Sequence, residues 1–87
     1  MNEEPKWNLG KRLCAVRHYR RLSQQKIADH LKIDRSTYAY YEIGRSFPSM
    51  RVFREICLYL KVPPQFLLNL PSIPDIPWLK NMEFDEQ

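Results

Sequence analysis

Leu22-Ser23-Gln24-Gln25-Lys26-Ile27-Ala28-Asp29-His30-Leu31-Lys32-Ile33-Asp34-Arg35-Ser36-Thr37-Tyr38-Ala39-Tyr40-Tyr41-Glu42 is the stretch that decides the fold. Ser23 is placed to cap a helix from Gln24 to Leu31, because its hydroxyl can accept from a first-turn amide. Ile27, Ala28 and Leu31 then fall on one face at helical spacing. Ile33 plugs the turn. Asp34 is expected to cap the next helix through its carboxylate, bonding the amide of Ser36 or Thr37. In that helix Tyr38 and Tyr41 face inward, while Arg35, Ser36, Ala39 and Tyr40 face out.

The same reading extends in both directions. Residues 1–7 form a polar arm, and Asn8 is expected to cap a first helix reaching about Arg21, with Leu9, Leu13 and Val16 on its inner face. Gly44 suits the left-handed end of the third helix. Pro48-Ser49 opens a fourth helix to about Leu60, expected to bury Met50, Phe53, Ile56, Cys57 and Leu60. Val62 closes the following turn, and Pro63-Pro64 starts a short fifth helix whose Phe66 and Leu67 point inward. Prolines 71, 74 and 77 forbid a regular helix beyond that point. The expected architecture is therefore all-α, with an arm (1–7), a five-helix domain (8–70) and a Pro-rich acidic tail (71–87).

Composition narrows the function. The chain has 87 residues, 44% of them hydrophobic, which is one domain with a small core. Its net charge of +4 is unevenly spread. Residues 1–70 carry 13 Lys and Arg against 6 Asp and Glu, whereas residues 71–87 carry Lys80 against Asp75, Glu83, Asp85 and Glu86. A basic body points to a polyanion partner. Cys14 and Cys57 fit no metal-ligand spacing and read as reduced core thiols. Cys14 and His18, four apart, lack further ligands for a metal. No nucleophile–base pair, glycine-rich phosphate loop or metal cluster marks an enzyme, so neither catalysis nor a cofactor is expected. No apolar run is long enough to span a bilayer, and the first residues lack the pattern of a secretory signal. A cytoplasmic protein without a membrane partner is the expectation.

The segment from Leu9 to Leu68 resembles the phage-repressor/Cro-like helix-turn-helix family, also called the XRE family. The likeness is carried by Leu22-Ser23-Gln24, Ala28, Arg35-Ser36-Thr37, Tyr41-Glu42-x-Gly44-Arg45, Pro48-Ser49 and Val62. It implies a lambda-repressor-like bundle whose third helix enters the major groove of double-stranded DNA. On that basis Arg35, Ser36, Ala39 and Tyr40 are candidate base contacts, with Arg35 suited to guanine O6 and N7. Gln24, Thr37, Arg45 and Ser46 are candidate phosphate contacts. For each the plain alternative is a solvated surface side chain. Lys11, Arg12 and Arg20 read that way, as a charged helical face of general electrostatic effect.

The resemblance also implies that Arg17 pairs with Glu42 to lock the third helix to the scaffold, and that two copies bind a two-fold operator as a homodimer. Two positions depart from the family. Lys32 stands where glycine is frequent, and tyrosines 38, 40 and 41 make a bulkier third helix that would sit differently in the groove. Val52, Leu58 and Tyr59 fall off the inner face of the fourth helix, and Ile73, Ile76, Trp78, Leu79 and Phe84 lie in the tail. These residues suggest a tail packed over the fourth and fifth helices, on its own or a partner subunit, that assists dimerisation. The leading expectation is a bacterial or phage-encoded transcriptional repressor. The alternatives are an antitoxin or controller protein binding a second protein through the tail, and an interaction module of the same fold without DNA binding.

Overall fold

A computed structural model describes residues 8–70; expectations about residues 1–7 and 71–87, including Ile76 and Trp78, lie outside that range. Five helices follow one another: α1 Leu9–Tyr19, α2 Gln24–Leu31, α3 Arg35–Ile43, α4 Met50–Leu60 and α5 Pro64–Leu67. The fold is an all-α bundle with α2 and α3 as a helix-turn-helix. Among the described residues there is no strand, and no helix is long and apolar enough to cross a membrane.

The helices begin as their sequences dictate in two places and differently in two others. Ser23 Oγ accepts from Lys26 N at 3.0 Å and Ser49 Oγ from Val52 N at 3.2 Å, each with extended backbone. Asn8 and Asp34 stand at cap positions without side-chain capping bonds. Asn8 has left-handed backbone, φ 44° and ψ 62°, which takes it out of the extended conformation that a capping side chain needs. Asp34 has the extended backbone, yet its carboxylate makes no bond to the amides of Ser36 or Thr37.

The helix ends share one device. Arg21, Lys32, Gly44, Lys61 and Asn69 all have positive φ, between 55° and 84°. After each, the next amide reaches back to a carbonyl five residues earlier, as in Leu22 N to Arg17 O at 3.1 Å and Ile33 N to Ala28 O at 3.1 Å. A non-glycine residue in this region costs roughly 1–2 kcal/mol. Packing offsets it, because the following residues Leu22, Ile33 and Val62 lie against the core. Lys32 therefore adopts the turn conformation itself. The first helix stops at Tyr19, short of Arg21, for the same reason.

Leu9, Leu13, Ile27, Ala28, Tyr38, Tyr41, Ile56, Cys57, Leu60 and Leu67 make the core. Tyr38 and Tyr41 meet edge to face, ring centroids 5.9 Å apart. Their bulk goes inward, so only Tyr40 thickens the outer side of α3. Two side chains expected inside are not: Met50 is 86% exposed and Phe66 43%, whereas Phe53 is half-buried against the core. Helical spacing puts Met50 on the apolar stripe, but as the first residue of α4 it overhangs the end of the core. Conversely, Val52 and Tyr59 are half-buried against the core, and the Tyr59 ring stacks on His30 at 3.8 Å. Only Leu58 of that trio is exposed.

Arg12 and Arg20 are not merely a solvated face. Arg20 Nε donates to Leu60 O at 2.9 Å, satisfying a carbonyl at the end of α4. Arg12 donates to Phe66 O at 3.2 Å and Asn69 Oδ1 at 2.9 Å, with its guanidinium over the Phe66 ring. A cation of α1 and the one that caps it thus tie down the ends of α5 and α4.

Candidate nucleic-acid interface

The position of α3 is set from below by a close crossing with α1. A Cβ on Gly10 would overlap the Glu42 carbonyl oxygen and stand 2.9 Å from Tyr41 O. Only glycine lets the two backbones come this near. Glycine in a helix is the sequence signal for such an approach.

Beside that crossing lies a charged pair shielded from water. Arg17 Nε donates to Glu42 Oε2 at 2.6 Å and Arg17 Nη2 to Oε1 at 3.0 Å, a two-pronged contact with side chains 9% and 4% accessible. Arg17 Nη1 also donates to Leu22 O at 2.8 Å, fastening the α1–α2 turn. Burial acts to raise the Glu42 pKa, but Arg17 first, then the Tyr38 hydroxyl and the Gln24 amide, outweigh it and hold the carboxyl below its ordinary value. The Tyr38 hydroxyl is buried nearby without a partner at hydrogen-bond geometry. Burial first, then the neighbouring carboxylate, pushes its pKa well up.

From Glu42 a polar chain runs outward to the surface. Gln24 Nε2 donates to Glu42 Oε1 at 3.0 Å, and Arg35 Nη1 donates to Gln24 Oε1 at 3.2 Å. Gln24 is half-buried, and Arg35 is exposed at the amino end of α3. Arg17, Glu42, Gln24 and Arg35 therefore form one connected set running from core to solvent. Gln24 uses its amide on this bridge, a part that helix periodicity does not signal, because its two partners come from α3.

A second group lies at the other end of α3. Tyr40 is 43% exposed, and the Arg45 guanidinium sits 5.1 Å from its ring centroid. Arg45 N and Ser46 N both donate to Tyr40 O, at 2.9 and 3.4 Å. The turn after α3 thus folds back over Tyr40. Ser36 is exposed, while Thr37, Ala39 and Ser46 are half-buried. The outer side of α3 presents two cations, a hydroxyl and one aromatic ring, a set suited to base edges and phosphate oxygens.

Cys14 and Cys57 are unpaired thiols whose pKa burial raises, so neither is activated as a nucleophile. Among the described residues no group of three or more His, Cys, Asp or Glu could hold a metal.

Residues 10–73 match the model of a helix-turn-helix domain family. The chain belongs to the XRE family of helix-turn-helix proteins. It is similar to YonR of Bacillus subtilis (strain 168), an SPbeta prophage-derived uncharacterized HTH-type transcriptional regulator, with 39% identity over 60 residues. That alignment covers 69% of this chain and 56% of the relative, so the chain spans little more than half of the relative's length. The matched family segment contains the whole set from Arg17 to Arg35 and the Tyr40–Arg45 group.

Proposed function

We propose that this chain is a sequence-specific double-stranded DNA-binding transcriptional regulator, a repressor that binds a two-fold operator as a homodimer with α3 in the major groove. The observation that carries this reading is Arg35, exposed at the amino end of α3 and tethered through Gln24 and Glu42 to Arg17. A preorganised guanidinium there suits bidentate recognition of guanine, and Ser36 and Tyr40 beside it extend the base-reading surface. Arg45 and Ser46 flank it as phosphate contacts, with Thr37 and the amino end of α2. The relative's description as a transcriptional regulator supports the same reading.

Selection of sites from random duplex DNA tests this directly. The expected result is a palindromic sequence with half-sites about one helical turn, roughly 34 Å, apart. Recovery of no enriched sequence, together with weak binding that ignores salt, would overturn the proposal.

A further inference from the structure

A groove between α4 and α5 is separate from the surface assigned to DNA. Met50, Cys57, Leu58, Val62, Pro64 and Leu68 give it an apolar lining of about 780 Å³. A second cavity shares Met50, Phe53 and Leu68 and continues the apolar path toward Phe47. Met50 and Leu58, which both line the groove, are 86% and 57% exposed, an uncovered apolar surface of the kind that marks an interaction site. Arg51 and Arg54, both exposed, edge the groove, and Arg54 has only a surface contact of 3.9 Å with Glu55. Nothing from α3 lines it.

The sequence that follows immediately has a matching pattern. Residues 71–79 read Pro71-Ser72-Ile73, Pro74-Asp75-Ile76, Pro77-Trp78-Leu79, a triplet of proline, a variable residue and a branched aliphatic repeated three times. Proline at every third position favours the polyproline II conformation, which has three residues per turn. Ile73, Ile76 and Leu79 then share one edge, spaced roughly 9 Å apart. Met50 to Leu58 spans about 12 Å of helix, room for two successive aliphatic side chains of that edge.

We propose that residues 71–79 lie as a polyproline II strap in the α4–α5 groove of their own chain, with the Ile73, Ile76 and Leu79 edge against Met50 and Leu58. Two observations, proximity and charge, select this occupant. Leu68 already lines the groove, so only Asn69 and Leu70 separate the strap from its seat. That short tether gives an effective concentration on the order of millimolar, which favours the chain's own groove over a neighbour's. Charge is complementary as well, because the one charged residue of the strap is Asp75 and the groove edge carries Arg51 and Arg54. The strap leaves α3 free, so a docked tail and DNA binding are compatible.

Methyl-labelled full-length protein tests this by nuclear Overhauser spectroscopy, with mass followed by light scattering. Cross-peaks are expected from the Ile73 and Ile76 methyls to Met50 and Leu58 within one chain. Ile76→Asp should remove them and shift the Met50 and Leu58 resonances. Ser72→Asp, on a different edge of the triplet, should leave those resonances in place. Methyls of Leu13 and Ile27 report that the core is unaltered in both variants. The proposal is overturned if cross-peaks are missing from the parent protein, or if Ile76→Asp leaves the groove resonances unmoved. It is equally overturned if Ser72→Asp acts like Ile76→Asp, or if the cross-peaks arise only between differently labelled chains, which would place a partner's tail in the groove.

Discussion

Replacing Arg17 by Met removes the cation from a carboxylate that has 4% side-chain accessibility. Glu42 would keep Gln24 as its hydrogen-bond donor and lose both prongs from the guanidinium. Removing one partner of a buried ion pair costs about 3–5 kcal/mol. A domain of this size has only about 3–9 kcal/mol in total, at 0.05–0.15 kcal/mol per residue. The Leu22 carbonyl also loses its donor, so the upper half of the range is expected. At about 4–8 °C per kcal/mol, the melting temperature should fall by at least about 16 °C, measured by circular dichroism and urea unfolding. Arg17→Met with Glu42→Leu should recover most of that loss, because a pair of apolar side chains replaces a buried ion pair at little net cost. DNA affinity should not recover, since Gln24 Nε2 has lost the acceptor that holds Arg35 in place. If Arg17→Met melted within about 3 °C of the parent protein and bound DNA equally well, the reasoning would be wrong about both the burial and the tether.

Other consequences are equally concrete. Gly10→Ala forces α1 away from the Glu42 and Tyr41 carbonyls; overpacking of this kind costs about 1–3 kcal/mol, and urea unfolding should show it alongside weaker DNA binding. Arg35→Ala should relax specificity at one base position by about 1–3 kcal/mol, whereas Arg45→Ala should weaken binding to all sequences and reduce the salt slope by about one; binding titrations at several salt concentrations distinguish the two. Because the Glu42 pKa is lower in the fold than in the unfolded chain, the stability it contributes is complete above its ordinary value of 4.5 and is lost as pH falls through its lowered value. Acid titration of Glu42→Gln should accordingly show a shallower loss than the parent. Tyr38→Phe deletes a buried hydroxyl that stands beside the Glu42 carboxylate and helps hold its pKa down; the Glu42 pKa should move up towards its ordinary value, read by NMR titration of the carboxyl, while thermal stability changes by less than about 1.5 kcal/mol.

Helix order, the capping Ser23, the start of α4 after Pro48-Ser49, Pro64 at the start of α5 and the inward tyrosines were legible in the chain because each depends on local spacing or backbone preference. The misreadings fall where two distant elements meet. Met50 keeps the periodicity of a core residue, but the end of a helix can run past whatever it packs against. Arg12 and Arg20 look like surface charges in a helical wheel, and their carbonyl partners lie more than 39 residues away. Gln24 reads as a phosphate contact at a helix start, because nothing in α2 announces that a glutamate of α3 will need a donor.

The amino-acid sequence by itself determined an all-α chain with a basic helix-turn-helix, through apolar periodicity, capping hydroxyls and left-handed helix ends. Tertiary structure decided how Arg35 is held and where apolar surface stays uncovered. Periodicity describes one helix at a time, whereas a hydrogen-bonded relay or a groove exists only once several helices have chosen their crossing distances, and here Gly10 permits the close crossing of α1 with α3.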